Sequence, residues 1–387
     1  MITNQRAFEA VLAARRDARV DVLRGLALMM IFIDHVPANL LGWLTLHVFS
    51  YADAAEVFVL FAGFASMFAY GKVMVRRGFL AAMRKIGARC LRLYLVQVAL
   101  VLFTFGLGAA WARYFGGLPF DDDLFRQYGW RGVVYGAGLY SLPAYIDILP
   151  LYLLLLAAFP LVFLGLRSRP RLTLGMSVAV WATAAWFPGV NMPRWLDSRG
   201  WFFDPFSWQL IFVIGATLAL LLARDGALPS RRWLTVLSAG YLLIGASQSF
   251  PFVSWGLPDL RPFGEALPTP DKTHLGLLRI LASLAWIQVI FRGGAGRAWV
   301  ANPVARALER CGRHSLPVFA VGVALALLGR LAMATFGEGA AMQVAVNVLG
   351  GGLLLALGWR LDRPTRPAAH GGEPSLWIAS RTHPPRG

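Results

Sequence analysis

Ten apolar stretches dominate the sequence and constrain its fold more than any other feature. A transmembrane helix needs about 20 predominantly apolar residues, and most of the stretches approach that length. We therefore predict an all-α integral membrane protein, built as a bundle of about ten transmembrane helices. The stretches cover residues 22–41, 54–72, 86–111, 145–166, 172–187, 206–223, 233–251, 275–291, 315–336 and 341–361.

The composition excludes a soluble domain held by a single membrane anchor. Of the 387 residues, 57% are apolar and only 15% are charged, whereas soluble domains carry about 25% charged residues. The deficit of charge indicates that most of the surface contacts lipid. Residues 21–362 are predicted to form one transmembrane domain, preceded by a cytoplasmic N-terminal segment (1–20) and followed by a disordered cytoplasmic tail (363–387).

The distribution of basic residues predicts the orientation. The net charge is +17, but no basic run is interleaved with aromatic residues as in a nucleic-acid interface. We therefore expect membrane lipid, and not nucleic acid, as a partner. With the N-terminus inside, 28 of the 37 Lys and Arg residues lie on the inner side and seven lie in the opposite loops. Cytoplasmic loops are enriched in these residues, so we predict a multi-pass protein of the cytoplasmic (inner) membrane with both termini cytoplasmic.

The first apolar stretch carries ionisable residues at two depths. Arg24 and His35 are eleven residues apart, so on a helix they share one face and lie about 16 Å apart along the axis. Asp34 directly precedes His35. Ionisable side chains within a membrane are costly and usually face an interior cavity. The alternative interpretation is that Asp34 and His35 only tie neighbouring helices together.

The second stretch opens with two further carboxylates. Asp53 and Glu56 are three residues apart and share a helical face, and the predicted topology brings them to the depth of His35. A histidine oriented by a carboxylate is the usual general base for activating a hydroxyl. We predict a catalytic site of His35, Asp34, Glu56 and Asp53, with Glu56 or Asp34 orienting the imidazole. The two cysteines have no partner at metal-ligand spacing, and no metal is predicted.

Basic residues cluster where the third stretch opens on the inner side. Anchoring of the membrane protein accounts for part of this pattern. Arginine also binds phosphates through paired hydrogen bonds, and coenzyme A carries phosphates at one end and a long arm at the other. We predict that acyl-CoA docks on these cations and extends past Arg24 towards His35. The predicted cofactor-binding residues are Arg24, Arg84, Lys85, Arg89 and Arg92.

Three more polar residues near the outer ends of the stretches are candidates for substrate binding. Asp147 starts the fourth stretch and has a helix N-terminal charge as its alternative interpretation. Lys272 is predicted to bind an acidic acyl group or the acceptor, or else to be a solvated loop charge. Arg279 lies within the eighth stretch and needs an anionic partner, for which Glu56 and Asp34 are the candidates.

These residues carry a resemblance to known families. The pattern of Arg24, ten residues and then His35 resembles the signature of membrane acyltransferases of type 3. The chain resembles the OpgC family more closely, and the resemblance covers the chain from residue 19 to about 320. The matching stretches are residues 19–27, 34–39, 53–59, 147–152, 204–209, 271–273 and 313–316.

The resemblance implies an enzyme, an acyl-CoA-dependent O-acyltransferase. It implies that an acyl group, succinyl in that family, passes from cytoplasmic acyl-CoA to a hydroxyl of a periplasmic glucan or other glycan. It also implies His35 as the essential base, with acyl-CoA as a donor substrate and no tightly bound cofactor. The alternative is a transporter or flippase that uses Asp34, His35 and Glu56 as a proton relay, although no pair of related halves is evident.

Overall fold

The fold is all-helical over the described part of the chain. The computed structural model describes residues 2–13, 17–37, 39–116, 129–140, 142, 145–187, 189–194, 200–226, 228, 231–253, 256–264, 270–291 and 299–363. The expected disordered tail covers residues 363–387, of which 364–387 lie outside these ranges.

Each of the ten predicted stretches contains a helix. In chain order the helices are α1 (Ile2–Ala13), α2 (Ala18–Asp34), α3 (Ala54–Arg77), α4 (Phe79–Phe115), α5 (Trp130–Ala137), α6 (Ile148–Ser168), α7 (Pro170–Trp186), α8 (Pro205–Asp225), α9 (Arg232–Ser249), α10 (Leu277–Phe291), α11 (Pro303–Arg313), α12 (Ser315–Phe336) and α13 (Ala340–Leu361).

Six of the described helices are long and apolar enough to cross a membrane: α3, α4, α6, α8, α12 and α13. The others predicted to span are shorter or more polar; α2 has 17 residues and α10 has 15. The protein is thus a multi-pass membrane protein, while the count of about ten spans and the cytoplasmic position of both termini stay predictions.

The helix ends follow local sequence signals. Asp17 caps α2 through its side chain, which accepts a hydrogen bond from the backbone of Arg19 at 3.0 Å. Pro37 follows the last turn of α2, and a proline disfavours helical geometry at the residue that precedes it. As a result α2 ends at Asp34 and not at residue 41 as predicted. Short 3-10 turns then lead to α3, at Leu40–Leu44 and Leu46–Val48.

The N-terminal segment is part of the bundle. Phe8 and Val11 of α1 are buried in the main apolar core, and the ring of Phe8 packs edge-on against Phe163 at 5.1 Å. The charged sequence of residues 1–20 suggested only a cytoplasmic extension. The two apolar side chains explain the docking, because they lie three residues apart on one helical face.

Glycines allow two pairs of helices to approach closely. A methyl group at Gly63 of α3 would overlap the carbonyl of Phe212 in α8, and one at Gly215 of α8 would overlap Leu60. The same holds for Gly25 of α2 against Leu308 in α11. Small residues at such contacts are typical of helices packed within membranes. The two contacts fix α2 and α3 against the rest of the bundle.

Five helix ends meet at one end of the bundle. α2 finishes there with Asp34 and His35, while α3, α6, α8 and α10 begin there. Their first residues include Asp53, Asp147 and Asp204 as caps, with Arg279 in the first turn of α10. This arrangement brings the sequence-predicted polar residues of the outer side together.

Candidate active site

The first turn of α3 holds its two carboxylates by a capping box. The Asp53 side chain accepts a hydrogen bond from the backbone of Ala55 at 2.7 Å, and the Glu56 side chain accepts one from the backbone of Asp53 at 2.8 Å. This motif satisfies backbone donors that a helix start leaves unpaired. Each carboxylate still has an oxygen for another partner.

Lys272 and Arg279 supply those partners. The ammonium of Lys272 lies 2.5 Å from Asp53 Oδ2, and the guanidinium of Arg279 lies 2.5 Å from Glu56 Oε1 and 3.8 Å from Asp53 Oδ2. Glu56 is one of the two anions expected to pair with Arg279. The pairing explains how Glu56, which is fully buried, is held within the protein.

The loop that carries Lys272 is fastened to the start of α8. The indole nitrogen of Trp208 donates to the carbonyls of Lys272 and Thr273 at 3.0 and 3.1 Å, and the backbone of Asp204 donates to Thr273. The Nε atom of Arg279 donates to the carbonyl of Pro270 at 3.1 Å. Trp208 and Asp204 are therefore scaffold residues that fix the position of the lysine.

The Lys272–Asp53 pair is ionised. Burial acts to lower the pKa of Lys272, but the carboxylates of Asp53 and Glu56 outweigh it and hold that pKa above its usual value. Burial acts to raise the pKa of Asp53, but Lys272, the hydrogen bond with Glu56 and Arg279 hold it below its usual range. Lys272 thus stays positively charged at the edge of the site, with Asp53 as its counter-ion.

His35 lines a cavity of about 470 Å³ beside this network. The walls include Asp53, Lys272, Arg279 and the aromatic side chains of Phe202 and Phe203. Ligand sites in proteins typically have volumes of about 300–1,000 Å³. The cavity therefore has the size of a ligand site and presents an imidazole next to two cations.

The imidazole is held by an aromatic contact. The ring of Tyr145 packs edge-on against His35 with centroids 4.7 Å apart, and the guanidinium of Arg330 lies 4.5 Å from the Tyr145 ring centroid. The Nδ1 atom of His35 is buried and has no hydrogen-bond partner among the described residues. Tyr145 itself has a φ of 73°, a left-handed conformation that is uncommon for a bulky residue.

Neither of the two carboxylates expected to orient His35 bonds to it. Asp34 accepts a hydrogen bond from the Thr45 hydroxyl at 2.7 Å and lies 3.4 Å from Nδ1 of His47, while Glu56 pairs with Arg279. The expectation fails because Asp34 follows its helix face away from the imidazole, about 100° round the axis. The structure pairs Asp34 with a different histidine, His47, which also lines the cavity.

Asp147 lies on the cavity wall directly before the first residue of α6. Burial raises the pKa of Asp147 to about 6, with its own backbone, Lys272 and Arg194 acting in the opposite direction. Its side chain makes no helix-capping hydrogen bond. Asp147 is therefore a carboxyl group at the site that titrates near neutral pH.

The cations predicted to bind the cofactor lie at the other end of α2 and on α4. Arg24 is buried and donates to the Ser315 hydroxyl at 2.6 Å. Lys85 donates to the carbonyl of Ala69 at 3.0 Å, and Arg89 and Arg24 both interact electrostatically with Tyr70. Arg84 and Arg92 are exposed. The structure thus brings Arg24 and Arg89 to one tyrosine, while none of the five lines the His35 cavity.

Sequence reasoning missed Tyr145, His47 and Arg330 as site residues. Tyr145 is the first residue of the fourth predicted stretch and His47 lies between the first two stretches, and no local signal connects either residue to His35. Arg330 had a signal, since a charge within an apolar stretch calls for a partner. Its contact with the aromatic ring of Tyr145 was outside that expectation.

The comparisons with known proteins agree with the family resemblance that the sequence motifs indicate. The family model described as OpgC protein matches residues 16–366, which include all of the candidate site. No curated protein and no solved structure matches the chain. With the match covering nearly the whole chain and the helices arranged as a multi-pass membrane bundle, the protein belongs to the OpgC family, which implies a membrane acyltransferase that modifies glucans.

Proposed function

We propose that the protein transfers an acyl group, succinyl, from cytoplasmic acyl-CoA to a hydroxyl of a periplasmic glucan or other glycan, at the cytoplasmic membrane. The observation that carries the proposal is the cavity in which His35 and Lys272 face the same space. An imidazole next to a fixed positive charge suits acyl transfer, because that reaction moves a proton and develops a negative oxygen.

His35 is the general base in this mechanism. The imidazole takes the proton of the acceptor hydroxyl as its oxygen attacks the thioester carbonyl. The tetrahedral intermediate then breaks its carbon–sulfur bond and forms the ester. The coenzyme A thiolate leaves and takes the proton back from the imidazolium, so the enzyme returns to its starting state.

Lys272 and Arg279 provide the positive charge that the reaction needs. Both line the cavity, and Lys272 interacts electrostatically with His35. A succinyl group adds a terminal carboxylate that a cation must compensate, and the carbonyl oxygen becomes an oxyanion in the transition state. We assign Lys272 to the acyl group, because its side chain is more exposed than that of Arg279 and forms one ion pair within the described residues, with Asp53. Arg279, in contrast, bonds to both Glu56 and Pro270.

The donor approaches from the opposite end of α2. Arg24 and Arg89 interact with Tyr70, Lys85 and Arg92 share the helical face of Arg89 on α4, and Arg84 directly precedes Lys85. These cations suit the phosphates of coenzyme A. The distance of about 16 Å between Arg24 and His35 along the helix suits an extended pantetheine arm. The acyl carbon would then reach the imidazole from inside.

The transporter alternative needs Asp34, His35 and Glu56 to exchange protons with each other. In the described structure Asp34 bonds to Thr45 and Glu56 bonds to Arg279, and Nδ1 of His35 has no partner. These contacts favour acyl transfer over a relay. Release of free thiol from acyl-CoA, measured with and without glycan acceptor, separates the two functions.

The test compares His35→Ala with wild-type protein, both purified and folded, using labelled succinyl-CoA and gluco-oligosaccharides. Removal of a general base costs about 10²- to 10⁴-fold in rate, and we expect a loss of that size. His314→Ala is the matched control, because His314 lies beside Asp362, at the end of the bundle opposite His35, and should retain activity. Undiminished transfer by His35→Ala would remove His35 from the mechanism.

A further inference from the structure

A second cavity, of about 410 Å³, adjoins the first. It lies between the segment before α3, the end of α9 and the loop that follows α9. Three side chains, His47, Asp53 and Arg279, line both cavities. The two spaces therefore lie next to each other, on either side of these three side chains.

The second cavity combines aromatic and polar surfaces. Tyr51, Phe250 and Phe252 contribute rings, and Ser50 and Asp259 contribute polar groups. Sugar rings present apolar faces between their hydroxyl groups, so they match such a wall. Two buried tryptophans of the same end of the bundle, Trp201 and Trp208, do not line this cavity.

Tyr51 gives an independent indication of a ligand. Its side chain is only 6% exposed, and its hydroxyl is buried with no hydrogen-bond partner among the described residues. A buried hydroxyl left unsatisfied is costly. The Ser50 hydroxyl oxygen accepts from Ala52 and Trp286, both at 3.1 Å, and the described bonds leave its own proton for a further acceptor. Hydroxyl groups of a ligand would supply the missing hydrogen-bond partners of Tyr51 and Ser50.

The charges of the second cavity favour a neutral ligand. Asp259 and Arg261 form a pair with two close contacts, at 2.6 and 2.8 Å, and Asp53 and Arg279 belong to the ion-pair network of the first cavity. Each charge on the wall thus has an opposite charge beside it. The phosphates of coenzyme A would find no excess of positive charge here.

We propose that the second cavity is a subsite for the acceptor, which binds the sugar ring next to the one that is acylated at His35. The proposal rests on the proposed function and specifies its acceptor as a neutral glycan of at least two linked hexoses. The acylated ring lies in the His35 cavity. Its neighbour occupies the second cavity and stacks on the aromatic side chains there.

The test measures binding of glucose and of linear gluco-oligosaccharides to the full-length protein, without any donor. Wild type should bind the oligosaccharides more tightly than glucose. Tyr51→Phe removes only the hydroxyl and should weaken oligosaccharide binding about 3- to 10-fold, as expected for one lost hydrogen bond. Phe252→Ala should weaken it further. Neither variant should change the binding of glucose.

Phe263→Ala is the matched control, because Phe263 is in the same loop but is 52% exposed and does not line the cavity. Its binding should equal that of wild type. Thermal unfolding of each variant shows whether it is folded, and Tyr51→Phe keeps the ring in case Phe252→Ala unfolds. Wild-type oligosaccharide affinity in both cavity variants would overturn the subsite. Because no donor is present, failure of acyl transfer leaves this result unaffected.

Discussion

The ring of Tyr145 is the contact that fixes the imidazole of His35, since Nδ1 has no hydrogen-bond partner among the described residues. An edge-to-face aromatic contact contributes about 0.5–1.5 kcal/mol. We predict that Tyr145→Ala lowers kcat by up to about tenfold and changes the acceptor KM little. Tyr145→Phe keeps the ring and should restore kcat. Steady-state kinetics of the two variants measure this, and an equal loss in both would show that the ring has no positioning role.

The Lys272–Asp53 pair makes a prediction for stability. Asp53 is buried and Lys272 is partly buried, and Lys272→Gln or Asp53→Asn removes the nearest opposite charge from the other residue, which should cost about 1–3 kcal/mol. Asparagine remains a good helix cap, so Asp53→Asn isolates the charge. The double variant should lose less than the sum of the two. Thermal unfolding in detergent measures the cycle, and strictly additive losses would mean that the 2.5 Å contact contributes no coupling.

Asp147 makes a prediction for pH. Burial raises the pKa of its carboxyl to about 6, above the value of about 4 in an unfolded chain. The folded protein therefore binds this proton more tightly, and the free energy of unfolding falls as the pH rises through that range. Asp147→Asn removes the effect. We expect Tm of the variant relative to wild type to rise by on the order of 2 °C between pH 5 and pH 7.

The comparison variant for that measurement is Asp259→Asn, whose carboxyl is exposed at the surface and paired with Arg261. The side chain of Asp259 has a pKa lowered to about 2, chiefly by hydrogen bonds from Arg261, so it is ionised at both pH values. The Tm of Asp259→Asn relative to wild type should not change between pH 5 and pH 7. If the Tm difference between Asp147→Asn and wild type is also the same at pH 5 and pH 7, Asp147 does not titrate in this range.

The types of the site residues were predictable from the sequence, but most of their partners were not. The spacing of Asp53 and Glu56 follows from helix geometry, and a charge such as Arg279 within an apolar stretch calls for an anion. Glu56 was one of two candidate anions for Arg279, but the two residues are 223 positions apart, and local patterns could not choose between the candidates. The pairing of Asp34 with His47 was not foreseen, because the irregular 3-10 turns between them give no periodic pattern.

At the scale of helices, the close contact of α3 with α8 makes a prediction. A methyl group at Gly63 would overlap the Phe212 carbonyl, and backbone atoms cannot move aside cheaply. We predict that Gly63→Ala lowers the free energy of unfolding by about 1–3 kcal/mol through overpacking. Gly106→Ala in α4 is the control, because its methyl group would meet no atom within 4 Å.

The control should stabilise α4 slightly, since alanine favours a helix over glycine by about 1 kcal/mol. The two variants make the same chemical change, so opposite signs of the stability change isolate the close contact. Guanidinium or thermal unfolding in the same detergent compares them. A neutral or stabilising Gly63→Ala would mean that α3 and α8 separate without cost.

Apolar patterns predicted the helices well because burial in lipid and burial in protein require the same residues. They failed where polar residues decide the end of a helix. α4 continues from its apolar part towards Phe79 through Arg84, Lys85 and Arg89, and its 37 residues reach about 55 Å. Long basic side chains favour helix as much as most apolar ones do, and the apolar boundary therefore did not mark the helix boundary.

At the scale of the whole molecule, the topology depends on which of the shorter helices cross the membrane. α10 has 15 residues and a length of about 22 Å, less than the hydrocarbon thickness of about 30 Å. Yet the orientation from basic residues needs α10 to cross, because it separates the loop of Asp259 from the basic helix α11. The bilayer can thin, or flanking polar residues can extend to the interface, around a short helix.

Labelling of single cysteines tests whether α10 crosses the membrane. In a background with Cys90→Ala and Cys311→Ala, Asp259→Cys and Arg306→Cys place thiols at exposed positions on either side of α10. We predict that a membrane-impermeant maleimide labels the first variant in intact spheroplasts and the second only after permeabilisation. Retained acyl transfer by the background shows that the fold is intact. If both thiols react in intact spheroplasts, or neither does, α10 does not cross, and the basic residues of α11 would lie on the same side as Asp259.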